Sequence, residues 1–351
     1  MIICTFDDRT TDIIGLKLLI CSLNRYMPDV PVRLFCPVAD GAFADWLADY
    51  PRVSLCAGPQ MKGMGWNVKP LLLQRLLDEG HDSVVWMDSD IIVTGDYRSL
   101  LPPGDELVVT QEAALTPYGV RQRTLGWQLP LARTLLGVNT CLIRAQPAHR
   151  RVIQAWQEKL QHADYQAAQQ LPFERRPPHM MTDQDVLLAL LGSRDFSNIE
   201  VCILRAGAAI IQQSGIPGYP PAQRIAHLIR GMPPLVHSQS FKPWRFPTVP
   251  SLLTQPRAFF VCLYLETSPY THYARQYRGQ IQDFPSCLKT RTAWGRVSRL
   301  LSLGQPCLGG ITQAAAATSW KHCVDLLGLL GRIRRKMIYH LGGLAKRATS
   351  P

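Results

Sequence analysis

The sequence lacks the features by which membrane-spanning, secreted and repetitive proteins are usually identified. No uninterrupted apolar run approaches the roughly 20 residues that a membrane-spanning helix needs. The amino-terminal residues have no basic stretch before an apolar segment and turn acidic at Asp7, which argues against a secretory signal. Glycine and proline follow no period, and no internal repeat occurs. The hydrophobic share of 46% predicts instead a globular chain with a substantial core.

The cysteines lack the spacing of metal-binding or redox motifs. The chain has 10 cysteines but no C-x-x-C pair and no Cys/His cluster with zinc spacing. Most of them lie inside apolar runs. We therefore expect buried, reduced thiols in a cytoplasmic protein.

Acidic residues are nearly absent from the end of the chain. The formal net charge is +12, and residues 289–351 contain eleven Lys or Arg with Asp325 as their one acid. This segment therefore carries +10, and the first 288 residues carry only +2. A tail of this kind favours a phosphate-rich or acidic partner, such as anionic lipid, nucleic acid or an acidic protein surface.

The apolar residues of the basic tail recur at intervals of three and four. They are Leu326, Leu330, Ile333, Met337, Leu341 and Leu344. This spacing predicts a helix with one apolar face, beside which basic residues lie. The helix could lie in the plane of an anionic membrane or pack on its own domain. Nucleic acid is the less favoured partner, because the cations are not interleaved with stacking aromatic residues.

Strand-like and helix-like segments alternate along the first part of the chain. Short apolar runs predict strands at residues 1–6, 32–36, 53–56, 83–87, 107–110 and 137–144. Helical spacing predicts helices at residues 11–25 (capped by Asp12), 43–50, 68–79, 147–160 and 183–191, the last capped by Thr182. The alternation indicates an α/β fold with a mostly parallel sheet flanked by helices.

Other parts of the chain show weaker patterns. Residues 115–135 have no clear period and are interpreted as a lid or acceptor loop. Prolines punctuate the sequence after residue 250. We therefore divide the chain into a catalytic domain (1–250), a connection (251–288) and a basic amphipathic extension (289–351).

An Asp-x-Asp pair interrupts the fourth predicted strand in VVWMDSDIIV, at Asp88 and Asp90. In an extended backbone, residues i and i+2 face the same side, so both carboxylates can reach one divalent cation. A solvated turn is the alternative. Asp7 also follows a predicted strand, and ligands bind at this edge of parallel sheets. A second Asp-x-Asp pair, Asp183 and Asp185, begins a predicted helix.

His237 and Lys242 lie in the segment HSQSFKPW, near the end of the first 250 residues. An imidazole added to two carboxylates favours Mn²⁺ over Mg²⁺, although Mg²⁺ remains possible. Lys242 would place a cation near a diphosphate. The alternatives are a hydrogen-bonded core histidine and a surface lysine.

Taken together, these segments resemble nucleotide-sugar glycosyltransferases of the GT-A (Rossmann-like) fold, most closely the retaining family-8 enzymes of bacterial surface glycans. The resemblance spans about residues 1–245 and rests on Phe6-Asp7-Asp8, VVWMDSDIIV, Asn139 in GVNTCLI, Asp183-Gln184-Asp185 and His237…Lys242-Pro243-Trp244. It differs at the last segment, which has four residues and no glycine between His237 and Lys242. No additional donor-site acid is evident between Asp90 and Asn139.

The resemblance implies a set of site residues. Asp88, Asp90 and His237 would hold Mn²⁺ against the diphosphate of a UDP-sugar, and Lys242 would add charge there. The remaining candidates are Thr5 and Asp7 at the base or ribose, Lys69 as a basic donor contact, and Asn139, Asp183 and Gln184 at the sugar. Asp88, Asp90 and Gln184 are the catalytic candidates.

The resemblance also implies an activity and a location. The enzyme would transfer a hexose from a UDP-sugar to a hydroxyl of a surface-glycan or lipid-linked acceptor, as in lipopolysaccharide biosynthesis, and with retention of configuration. We expect it in the cytoplasm, peripheral on the inner face of the membrane.

Two other functions remain open from the sequence. A sugar nucleotidyltransferase would need a glycine-rich basic loop after the first strand, whereas FDDRTTD is acidic and lacks glycine. The other is a non-catalytic protein of the same fold that binds nucleotide sugars or glycans. Asp88, Asp90, His237 and Lys242 together are more than such binding requires.

Overall fold

The computed structural model describes residues 1–9, 13–240 and 242–319. Its strands, in chain order, are β1 (Ile2–Phe6), β2 (Val32–Phe35), β3 (Val53–Cys56), β4 (Val84–Met87), β5 (Ile91–Val93), β6 (Leu107–Gln111), β7 (Val138–Ala145), β8 (Val201–Leu204), β9 (Ile210–Gln212) and β10 (Leu235–His237). The helices are α1 (Ile14–Tyr26), α2 (Gly41–Leu47), α3 (Lys69–Asp78), α4 (Pro117–Gly126), α5 (Arg150–Gln161), α6 (Ala163–Gln169), α7 (Asp183–Gly192), α8 (Pro221–Arg230), α9 (Pro256–Thr267), α10 (Pro269–Ala274) and α11 (Ala293–Leu301).

Seven strands form the central sheet in the order β3-β2-β1-β4-β7-β6-β8. All neighbours are parallel except at β7, which runs antiparallel to both β4 and β6. Strands β1, β4 and β7 are buried along their whole length, as expected for a sheet covered on both faces. The prediction of an α/β fold with a mostly parallel sheet is confirmed.

Helices cover both faces of this sheet. On one face α3, α5 and α7 bury residues such as Leu72, Trp156 and Leu188 in a single hydrophobic cluster with strand residues. On the other face α1 packs with α10, whose Tyr270 belongs to the same cluster as Ile14. The sheet is thereby held rigidly, and the ends of its strands can position side chains accurately.

A small second sheet joins distant parts of the chain beside the end of β4. Its order is β5-β10-β9. The chain leaves β4 through Asp88-Ser89-Asp90 and continues as β5, which pairs antiparallel with β10. In this register His237 lies opposite Ile91. The pairing therefore brings the predicted histidine next to the Asp-x-Asp pair.

The start of α7 is fixed by a reciprocal cap. Thr182 and Asp185 form a capping box, in which the Thr182 backbone N–H donates to the Asp185 carboxylate. Arg123 of α4 also donates from Nε to Asp185, at 2.9 Å. The cap predicted at Thr182 is confirmed, and Asp185 is a structural residue that leaves Asp183 to face the site.

Residues 115–135, interpreted as a loop without clear period, contain helix α4. Thr116 caps this helix by accepting from the Gly119 N–H. The amphipathic pattern is masked because the polar residues Arg123 and Thr124 face inward, where they bind Asp185 and the Ala189 carbonyl. A helix that buries polar residues has no readable hydrophobic period.

Residues 251–288, interpreted as a connection, contain helices α9 and α10. These helices were missed because α9 is apolar around most of its circumference and only Ser268 separates it from α10, which begins with a proline. Helix α9 is tied to the body by the buried Arg224, whose Nη2 donates to the Tyr264 hydroxyl at 3.3 Å. The domain division at residue 250 stays a prediction.

Several features of the sequence analysis fall outside the described residues. These are the Asp12 cap and the amphipathic stripe from Leu326 to Leu344. The nine described cysteines are free thiols, and burial raises the pKa of Cys21 to about 11. Among the described helices, none has both the length and the apolar character needed to cross a bilayer.

Candidate active site

A cavity of about 850 Å³ opens at the carboxyl ends of β1 and β4. Nine of the predicted site residues line it: Asp7, Lys69, Asp88, Asp90, Asn139, Asp183, Gln184, His237 and Lys242. Thr5 does not belong to the lining found among the described residues. It is buried in β1, and its hydroxyl has no hydrogen-bond partner there. The sheet edge therefore collects residues that are far apart in the chain.

Asp88, Asp90 and His237 are close enough to share one cation. One ligand atom from each lies within 4.8 Å of the other two. His237 Nε2 is 3.3 Å from Asp90 Oδ1 and 4.0 Å from Asp88 Oδ2. Two carboxylates and an imidazole suit a divalent transition metal such as Mn²⁺. The side chain of Asp88 is 25% exposed and opens this trio to the cavity.

Charges around Asp90 keep it ionised. Burial by itself raises the pKa of Asp90, but the Lys242 ammonium and His237 more than reverse this, so the pKa lies well below its usual value. Lys242 Nζ lies 2.5 Å from Asp90 Oδ2. Burial by itself lowers the pKa of His237, but Cys141 and Asp90 more than reverse this, so the pKa lies well above its usual value. Because a metal ligand is the neutral imidazole, a cation and a proton compete for His237.

Lys69 joins three elements under the cavity floor. Its ammonium lies 3.2 Å from Asp88 Oδ1 and 3.2 Å from Asp183 Oδ2, and it donates to Thr140 Oγ1 at 2.9 Å. Burial lowers the pKa of Lys69, but the charges of Asp183 and Asp88 outweigh burial and raise it. Lys69 thus holds α3, α7 and the Asp-x-Asp turn together. Its predicted contact with a donor stays a prediction.

The carboxylate of Asp7 accepts hydrogen bonds from Arg9, a residue for which the sequence predicted no role. The Arg9 backbone N–H and Nε donate to Asp7 Oδ1, at 3.0 and 2.9 Å, and Nη2 donates to Oδ2. Nη2 also donates to Ser89 Oγ at 2.9 Å. The Asp-x-Arg spacing could have indicated this contact, because it allows an arginine to bind the carboxylate two residues before it. We call this arrangement a clamp.

Asp8 fixes the loop that forms one side of the cavity. Its Oδ2 accepts from the backbone N–H groups of Gly63 and Gly65, at 2.9 and 3.2 Å. Both glycines have positive φ, which favours glycine at these positions. The next residue, Trp66, remains 47% exposed at the cavity, as does Phe173 on another loop. Two aromatic side chains therefore stand at the rim.

Glu112 is a buried acid between the Asp-x-Asp pair and Asn139 in the chain, a stretch in which no additional donor-site acid was evident from the sequence. Asn139 Nδ2 and Gln239 Nε2 donate to Glu112 Oε2, at 3.1 and 2.9 Å. Asn139 Oδ1 accepts in turn from the Cys141 N–H. Glu112 directly follows β6 at the same sheet edge, and this position could have indicated it as a residue of the site. Asn139 is oriented by this carboxylate.

No protein-family model and no curated protein match the chain. Solved structures to which it is similar include three glycosyltransferases. The galactosyltransferase LgtC, in complex with donor and acceptor sugar analogs, is 16% identical with a TM-score of 0.43, over 80% of this chain and 100% of that one. The glycosyltransferase GlyE of Streptococcus pneumoniae TIGR4 is 16% identical with a TM-score of 0.42, over 80% and 64%.

The third is a glycosyltransferase involved in glycosylation of the major capsid of PBCV-1. It is 10% identical with a TM-score of 0.38, over 67% of this chain and 90% of that one. These identities and TM-scores assign no activity to this chain.

We predict that Lys69→Met destabilises the protein by about 3–5 kcal/mol, because the buried Asp183 and the half-buried Asp88 lose their shared cation. The free energy of unfolding in urea measures this. Lys62→Met, at an exposed lysine before the same helix, is the control and should change it by less than about 0.5 kcal/mol. Equal stability of the Lys69 variant and the unaltered chain would contradict the role of Lys69 as an internal tie.

Proposed function

We propose that the chain is a metal-dependent GT-A glycosyltransferase, similar to family 8, that transfers a hexose from a UDP-sugar to a hydroxyl of a surface-glycan or lipid-linked acceptor, with retention. The observation that carries the proposal is the meeting of Asp88, Asp90 and His237 around a position for one cation. This position lies in a cavity of about 850 Å³, which is large enough for a nucleotide sugar.

The proposed chemistry is stabilisation of a leaving group. Transfer breaks the bond between the anomeric carbon and the diphosphate oxygen, and the acceptor oxygen forms a new bond to that carbon while its proton passes to the departing diphosphate. A cation bound by Asp88, Asp90 and His237 would stabilise the negative charge on the departing diphosphate. Lys242, held beside Asp90, adds a fixed positive charge that needs no rearrangement during the reaction.

The donor set supports Mn²⁺ as the cation, with Mg²⁺ as the weaker choice. Mg²⁺ prefers oxygen ligands in octahedral geometry, whereas His237 contributes a nitrogen. The imidazole and Asp90 are buried, so the site would bind the cation with few waters on that side. Replacement of the histidine should therefore shift the preference towards Mg²⁺.

The remaining residues are assigned to the donor. Asn139, Asp183 and Gln184 would contact the sugar, and Gln184, in the first turn of α7, would contact its reacting face. Thr5 would contact the base through its backbone, and Asp7 and Lys69 complete the donor site. Asn139 and Asp183 have fixed positions, because Glu112 and Thr140 bind them. The exposed Trp66 and Phe173 would meet the acceptor glycan at the rim.

We also propose that the protein acts in the cytoplasm as a peripheral protein on the inner membrane surface. Helix α11 exposes Trp294, Val297, Leu300 and Leu301. Arg296 and Arg299 lie on the same helix, and residues 289–319 contain no acid. Exposed apolar residues together with cations are typical of segments that bind anionic lipid. The basic tail after residue 319 would strengthen the attachment.

We predict that Asp90→Asn abolishes Mn²⁺-dependent transfer and hydrolysis of UDP-sugars while the protein stays folded. Activity would be measured as free sugar or UDP released across a panel of UDP-sugars, and folding by circular dichroism. Asp185→Asn is the matched control from the second Asp-x-Asp pair, because Asp185 binds Arg123 and Thr182. This control should lose stability but keep cation binding.

Undiminished turnover by Asp90→Asn would refute the metal assignment. If the unaltered chain binds UDP-sugars with Mn²⁺ but releases neither sugar nor UDP, with or without acceptors, the non-catalytic binding function would replace the proposed one. Release of pyrophosphate from UTP and a sugar phosphate would instead indicate a nucleotidyltransferase.

We predict that deletion of residues 320–351 weakens binding to phosphatidylglycerol vesicles at least tenfold, because it removes seven of the cations in the tail. Co-sedimentation at physiological salt measures the binding, with phosphatidylcholine vesicles as the control. Unchanged sedimentation would show that the tail does not contact lipid. Retention on DNA without vesicle binding would favour nucleic acid as the partner.

A further inference from the structure

We propose that Arg9 binds a phosphate of the nucleotide and that Asp7 is the positioning residue that orients it. This inference rests on the proposed function and reverses the roles expected for the segment after β1. There, Asp7 was the nucleotide contact and Arg9 had no role.

The Asp7 carboxylate is already satisfied within the protein. Three N–H donors of Arg9 point at its two oxygens, from the backbone N, Nε and Nη2. Asp7 is buried, whereas the Arg9 side chain is 30% exposed. A ligand arriving through the cavity therefore meets the guanidinium before the carboxylate.

Arg9 also reaches the turn that carries the metal ligands. Its Nη2 donates to Ser89 Oγ at 2.9 Å, and Ser89 lies between Asp88 and Asp90. Lys242 contacts the same turn at Asp90. Two cationic side chains, Arg9 and Lys242, therefore contact neighbouring residues of this turn. Such a pair of cations suits an anion that binds beside the turn. The diphosphate proposed for the cation site is such an anion.

The guanidinium keeps donors for this anion. Within residues 1–9, 13–240 and 242–319, the two N–H groups of Arg9 Nη1 have no hydrogen-bond partner, and Arg9 lines the cavity. The Nη1 N–H groups can form charge-assisted hydrogen bonds to phosphate oxygens, and the bond to Asp7 fixes the plane of the guanidinium in advance. Asp7 therefore reduces the entropy that Arg9 would lose on binding.

The chain contains a second clamp of the same design away from the cavity. At the surface, Arg98 donates to Asp96 from its backbone N and Nε, at 2.9 and 3.0 Å, and from Nη2 at 2.6 Å. Binding of an arginine to the aspartate two residues before it is thus a local motif and does not by itself indicate a ligand site. Arg9 differs in its place on the cavity and its bond to Ser89, and Arg98 provides a matched control.

The test is calorimetric titration of the full chain with UDP in the presence of Mn²⁺. Arg9→Gln should weaken UDP binding at least about tenfold, as expected for a lost hydrogen bond to a charged group. Arg9→Lys should recover part of the loss. Arg98→Gln should leave the affinity unchanged. Thermal unfolding of each variant checks that the fold is retained.

The double variant Asp7→Asn with Arg9→Gln separates the two roles. If Arg9 contacts the phosphate, the double variant should bind UDP as weakly as Arg9→Gln alone. Recovery of the original affinity would show that Arg9 only neutralises Asp7, and an unweakened Arg9→Gln would show that it has no part in binding; both results overturn the inference while the proposed function stands. Absence of UDP binding by the unaltered chain would instead refute the proposed function.

Discussion

The site depends on the antiparallel pairing of β5 with β10. This pairing places His237 opposite Ile91, the residue that follows Asp90. The Ser238 N–H also donates to the Asp90 carbonyl, at 3.0 Å, which continues the pairing into the turn. Without this short sheet, two carboxylates and an imidazole from opposite ends of the body would have no reason to meet. Backbone hydrogen bonds, rather than the charges themselves, therefore fix the spacing of the three ligands.

The charges at the cavity are balanced by fixed internal cations. Lys69 lies below Asp88 and Asp183, Lys242 contacts Asp90, and Arg9 covers Asp7. An unpaired buried carboxylate would bind a proton instead of a metal. The cations beside Asp88, Asp90 and Asp183 come from other parts of the chain, and Arg9 lies two residues after Asp7. At Asp90, Lys242 and His237 hold the pKa well below its usual value. The same contacts hold the surrounding helices in place, so stability and function share residues here.

The partnership of His237 with the Asp-x-Asp turn came from the resemblance to nucleotide-sugar glycosyltransferases. The sequence itself predicted strands β1 to β4, β6 and β7 and the Asp-x-Asp turn, because each follows from a local apolar pattern. It did not predict α9, whose apolar residues surround the helix without a period, or α4, which buries Arg123. Arg9 and Glu112 were missed for another reason. Their roles depend on which side chains lie across the sheet edge, such as Ser89 and Gln239, and no spacing along the chain reports this.

The central claim is that His237 shares one cation with Asp88 and Asp90. Pulsed electron paramagnetic resonance on the Mn²⁺-loaded chain tests it most directly, because coupling between Mn²⁺ and an imidazole nitrogen is resolved in the spectrum. We predict one bound Mn²⁺ per chain with nitrogen coupling that disappears in His237→Gln. A bound Mn²⁺ without nitrogen coupling, or with coupling that persists in this variant, would contradict the account.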